Sequence, residues 1–147
     1  MTKKPSAVAI ASDFITAVRD HGIHLFEFRA NPPKFSVGET LPVKETWRRG
    51  VYGNIELKAD CSPYDLDGWE YTARMPLWAA KRSVYVKSIR KITPDEFREQ
   101  FGHSWAYGQT SFGCLTSDLP DTLWFRDGTR LGPPDKNVYA VEYEMSF

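Results

Sequence analysis

The chain reads as a small α+β domain, a curled sheet or partial barrel with helices at its ends. Three observations carry that reading. The periodicities run in the order helix, several strands, one capped helix, final strand. At 147 residues there is enough chain for one proper core. A hydrophobic content of 41% with 14% aromatic residues marks a folded protein, not a disordered one.

The elements follow in order. Residues 1–4 are polar and are expected to fray. From Ser6, Val8, Ile10, Ala11, Phe14, Ile15 and Val18 recur at helical spacing. Ser12 and Asp13 leave room for a later start, and Gly22 is placed to end the helix. Ile23–Arg29 reads as a strand that Asn31-Pro32-Pro33 must break. Val37-Gly38-Glu39 turns into a strand from Thr40 to Trp47, and Pro42 puts that strand at an edge or delays its start. Arg48-Arg49-Gly50 reads as a loop, 54–60 as a further strand and 61–69 as turn-rich surface. In the strand Ser83–Ile89, Val84, Val86 and Ser88 share one face, with Tyr85, Lys87 and Ile89 on the other. Thr93, Pro94 and Glu96 have the spacing of a capping box for a helix ending near Gly102. Residues 103–136, rich in Gly and Pro, form either a long excursion or a pair of irregular strands. The chain closes on a strand, 138–147, with Val138, Ala140, Tyr143 and Met145 inward.

Charge and cysteine usage narrow the function. Nineteen basic residues cancel nineteen acidic ones, which argues against broad tracking of a phosphate backbone. Cys61, Cys114, His21, His24 and His103 lack metal-ligand spacing, so neither a metal nor another cofactor is expected. The same cysteines lack a base partner at a known spacing, and Gly102, Gly108 and Gly113 are too scattered for a phosphate loop. With two cysteines, no signal peptide and no apolar run of the ~20 residues a membrane span needs, a cytoplasmic location is expected.

Several motifs together resemble one family. Gly22-x-His24-x-x-Glu27-x-Arg29 is similar to the G-x-K-x-x-E-x-R signature of ASCH domains, small barrels of the PUA superfamily, with His24 in the place of lysine. Gly38–Trp47 resembles the G-D-x-L-W-V-R-E-T-W strand of phage-encoded ASCH-like proteins. Lys58-Ala59-Asp60, Trp69 and Met75–Lys81 follow in the family's order, with Leu77 and Ala80 replacing an arginine and a serine. Residues 103–136 match nothing in this plan and read as an insertion in a single domain spanning 1–147. The resemblance implies a PUA-like β-barrel of about five to seven strands with two or three helices. It also implies a nucleic-acid-associated module in a cytoplasm, the host's if the protein is phage-encoded.

Candidate site residues follow from the motifs. Glu45 is the first candidate, as a general base or as acceptor of a nucleobase's exocyclic amine; the plainer reading is a strand carboxylate paired with Lys44 or Arg48. Glu27 and Arg29, two apart, share a strand face, where they orient a ligand or close the barrel end as an ion pair. His24 falls on the opposite face by alternation. Glu27 and Glu45 are expected to face one hollow. Among the aromatics, Trp47 and Trp69 are candidates for stacking on a base, Trp69 alternatively as a lid, while Trp78 reads more readily as core. Lys44, Arg48, Arg49 and Lys58 form either a phosphate patch or a solvated face.

Three functions remain open on these residues. The first is binding of a nucleobase, a nucleoside or single-stranded nucleic acid such as RNA, with Glu45 and Glu27 as polar contacts. The second, which the resemblance to ASCH domains implies, is amide hydrolysis of an N4-acylated cytidine, with Glu45 activating water and His24 or Lys44 polarising the carbonyl. The third is binding of a host protein through 103–136, which carries Trp105, Tyr107, Phe112, Trp124 and Phe125.

Overall fold

A computed structural model describes residues 6–22, 24–62, 64–101, 107–110, 113–115, 122–126 and 135–147. The fold is mixed α+β and barrel-like, as the periodicities predict. Its centre is a curled half-barrel of five strands in the order β1 (Val8–Ala9), β3 (Thr40–Lys44), β6 (Ser83–Ile92), β10 (Val138–Ser146) and β2 (His24–Arg29). A separate antiparallel ribbon joins β4 (Trp47–Arg49) to β5 (Ile55–Leu57). The helices are α1 (Ser12–His21) and α2 (Pro94–Phe101), with single 3-10 turns at 58–60, 72–74 and 77–79. Within 103–136, three short strands extend the sheet beyond β2: β9 (Thr122–Arg126) parallel to β2, then β8 (Gly113–Leu115) and β7 (Tyr107–Thr110). Of the aromatic residues expected to form a surface here, Tyr107 falls in β7 and Trp124 and Phe125 in β9, while Trp105 and Phe112 lie outside the described residues.

The amino end departs from expectation. Val8–Ala9 is not helix but a strand, parallel to Val43–Lys44, and the Ile10 N–H extends the pairing by donating to the Lys44 carbonyl at 2.9 Å. Val8 and Ile10 are buried and Ala9 exposed, so the period there is two. The α1 helix starts at Ser12, buries Phe14 and Ile15, and ends at Gly22, whose φ of 62° is the left-handed geometry glycine adopts without strain.

The expected strand from Thr40 to Trp47 is two strands, broken at Glu45-Thr46. Pro42 sits beyond the two-residue stretch that β1 covers, so its missing N–H interrupts no pairing with β1. Arg48 and Arg49 belong to β4, not to a loop, and only 55–57 of the expected strand 54–60 is extended. The capping box of α2 is complete: the Thr93 N–H donates to Glu96 Oε1 at 3.2 Å, and the Glu96 N–H donates to Thr93 Oγ1 at 3.1 Å.

The sheet is packed on both faces. Leu25, Val84, Val86, Val141 and Tyr143 join Val8, Ile10, Phe14 and Ile15 in the larger core. Phe28, Ile92, Val138 and Ala140 pack with Phe97 of α2 in a second, the Phe28 and Phe97 rings edge to face at 4.9 Å. The inward residues expected on β10 therefore divide between two cores. A bulge contributes to this arrangement. Between β10 and β6, Glu142 pairs with Ser88 and Tyr143 with Val86, leaving Lys87 without a counterpart. Ile89, and not Ser88 as alternation predicts, thereby joins the core that holds Val84 and Val86.

Candidate functional site

Glu27 and Arg29 share a face of β2, as their spacing requires. The Tyr143 hydroxyl donates to Glu27 Oε1 at 2.5 Å, and Arg29 Nη1 lies 3.3 Å from the same oxygen. The Arg29 guanidinium also lies over the Phe35 ring, 5.4 Å from its centroid. Burial, reinforced by the Glu27 charge, raises the Tyr143 pKa and keeps its hydroxyl a donor. This cluster adjoins the larger core through Tyr143, and in it Glu27 and Arg29 face each other as an ion pair, one of the two arrangements their spacing allows.

Glu45 lies in a different neighbourhood. Its carboxylate is fully buried and accepts from Arg82 Nε, at 2.9 Å to Oε2. Its backbone N–H points at the Met75 sulfur, 3.4 Å away. Arg82 reaches Asp60 at 2.5 Å, and Asp60 is held by Arg19 at 3.0 Å, so alternating charges run from Glu45 through Arg82, just before β6, to α1. Burial pushes the Glu45 pKa up, with Arg82 opposing. Burial pulls the Arg82 pKa down, but the Asp60 bond and the Glu45 charge outweigh it. The two glutamates that were expected to face one hollow are thus each engaged by a cation of their own.

The other candidates disperse. His24 is exposed on the opposite face of β2, with Nδ1 3.8 Å from a Glu142 oxygen that Lys87 also approaches. Lys44 is half-buried, and its carbonyl accepts from Ile10. Trp47 is buried in a small core with Leu57, Met75 and Ala79. Trp78, read from the sequence as core, is 64% exposed; it meets Trp47 edge to face at 6.4 Å and lies beneath Arg49. Burial raises the Cys61 thiol pKa, away from a thiolate. Among the described residues, no group of three His, Cys, Asp or Glu could hold a metal, and no helix is long and apolar enough to cross a membrane.

Trp69 is different. It lines a recess of about 430 Å³ together with Ala9, Ala11, Thr46, Glu70, Tyr71 and Thr72. Two distant pairings assemble it. Parallel pairing with β3 brings in Ala9. An isolated antiparallel bridge, in which the Glu70 N–H donates to the Trp47 carbonyl at 2.7 Å, brings the 69–72 run alongside β4. The hydroxyls of Thr46 and Thr72 meet at 3.1 Å. Glu70 is the charged side chain of the lining, and it is exposed. Of these lining residues only Trp69 stands out in the sequence; the alternation of aromatic and polar types through Trp69-Glu70-Tyr71-Thr72 is the local signal for its neighbours. Nothing local marks Ala9 or Ala11.

Fold and recess define a small α+β barrel-like protein with an aromatic-walled cavity at the junction of half-barrel and ribbon. Comparisons with protein-family models, with curated proteins and with solved structures returned no match.

Proposed function

We propose that this chain binds a nucleobase or nucleoside, natural or modified, in the recess walled by Trp69 and Tyr71. The carrying observation is the combination of size and chemistry. A volume of about 430 Å³ falls within the ordinary range of small-molecule pockets and suits a single base or nucleoside. Aromatic rings supply stacking faces. The Thr46 and Thr72 hydroxyls and the Glu70 carboxylate supply acceptors, and the hydroxyls donors, for a base edge. On this reading Glu70 takes the amine-accepting role expected of Glu45, which is buried against Arg82. The motif order that resembles ASCH domains supports the same class of ligand, and we extend the proposal to an ASCH-like module acting in a cytoplasm on free or single-stranded nucleic acid. Hydrolysis of an acylated cytidine is the weaker reading, because Glu45, fully buried, and His24, exposed beside Glu142, do not converge.

A thermal-shift and calorimetric screen over cytidine, adenosine, guanosine, uridine and their base-modified forms tests this. A ligand at a hundred times its Kd should stabilise the fold by about 2.7 kcal/mol. Trp69→Ala should weaken that binding by the ~1–3 kcal/mol that base stacking contributes while the protein stays folded. If no nucleoside at millimolar concentration shifts the melting temperature, the proposal fails. Release of free cytidine from N4-acylcytidine in the same screen would favour the hydrolytic reading.

A further inference from the structure

Arg48 pairs with Glu56 of β5 across the ribbon, and on its other side meets Trp69. Its guanidinium holds Asp65 with both ends of its fork, Nη1 to Oδ1 at 2.9 Å and Nη2 to Oδ2 at 2.6 Å. Nη1 also donates to the Asp67 carbonyl at 2.8 Å, and Nη2 to Glu56 at 3.1 Å. Asp65 is linked onward, since its carbonyl accepts from the Trp69 indole Nε1 at 2.7 Å. The same guanidinium lies over the Trp69 ring, 4.0 Å from the centroid. Gly68, between the two anchored residues, has a φ of 79°, a conformation other residues rarely take, and its missing Cβ would point to within 4.0 Å of the Arg48 side chain.

We propose that Arg48 is the positioning residue of the recess: through Asp65, Asp67 and the face of the indole, it fixes the orientation in which Trp69 forms a wall. A planar, bidentate donor that also stacks is required for all these contacts at once, and lysine cannot replace it. With one face of the ring covered by Arg48 and its Nε1 edge bonded to the Asp65 carbonyl, the opposite face is the one left for a ligand. This rests on the nucleoside reading only for its consequence in binding, not for the geometry.

The test therefore has two separable readouts. Indole N–H resonances are recorded by NMR, with that of Trp69 identified from its loss in Trp69→Phe. In Arg48→Lys the Trp69 signal should move and exchange faster with water, while those of Trp47 and Trp78 hold. Arg49→Lys, which alters the stack on Trp78, should leave the Trp69 signal in place. Should Arg48→Lys not fold, Asp65→Asn keeps Arg48 and tests the link through Asp65. An unmoved Trp69 resonance in a folded Arg48→Lys, or in Asp65→Asn when that variant stands in, overturns the proposal whatever the ligand. In the second readout, cytidine and adenosine titrated into Arg48→Lys should bind about tenfold more weakly than to the unaltered protein. Absence of binding to the unaltered protein would count against the nucleoside reading and leave the resonance to decide the role of Arg48.

Discussion

Glu45 and Asp65 are both held by arginines, yet their protons respond to pH in opposite senses. Burial raises the Glu45 pKa above its usual 4.5. A carboxyl raised in the folded state contributes stability that is fully present below 4.5 and is lost as pH climbs through the raised value. The bonds from Arg48 lower the Asp65 pKa from its usual 3.8, so its contribution is present above 3.8 and is lost as pH falls through the lowered value. Urea unfolding measured across both windows should show Glu45→Gln removing part of the slope above 4.5 and Asp65→Asn part of the slope below 3.8. Taking away the buried cation is a harsher change. Arg82→Met should cost about 3–5 kcal/mol by leaving Glu45 buried without its partner, and adding Glu45→Gln should recover much of that loss. At this scale the sequence was a partial guide to the site. Trp69 was legible because a large aromatic after glycine in a polar loop has no evident core to fill. Glu45 was identified as unusual, but whether a strand carboxylate faces a ligand or a cation depends on Arg82, far along the chain.

Among the elements, those with local causes were the legible ones. The α2 helix is announced by Thr93 and Glu96, and both bonds of its capping box are made. Thr93→Ala should lower stability by about 1 kcal/mol, read as a fall in melting temperature of about 2–4 °C for a chain of this size. The amino-terminal strand was not legible, because Val8 and Ile10 fit a helix extended back from Phe14 as well as they fit a period of two. Its decisive partners, Val43 and Lys44, lie in another element. Thr40–Trp47 looked like a single strand because nothing in Glu45-Thr46 is a turn residue. At the break the Glu45 side chain is bonded to Arg82, and the Thr46 carbonyl accepts from the Lys58 N–H at 3.0 Å, both partners distant in the sequence.

For the molecule as a whole, a net charge of zero sets the kind of nucleic-acid binding available. A short single-stranded oligonucleotide held through one base in the recess should lose less than about tenfold in affinity between 50 and 200 mM salt, the loss for one or two phosphate contacts. Filter-binding or fluorescence titration across that range checks it; a thousandfold loss would mean a protein that grips phosphates first. The packing of both sheet faces has a further consequence, which begins at Lys87, the β6 residue with no partner in the β10 ladder. In a regular ladder, each side chain's position along a strand dictates which side it takes, so one strand cannot change allegiance midway. The extra residue acts as a clutch between the halves of β6, letting Val84 and Val86 and then Ile89 serve one core before Ile92 serves the other. Removing that slack would make the ladder regular and force one half of the strand to turn its apolar side chains toward the wrong layer.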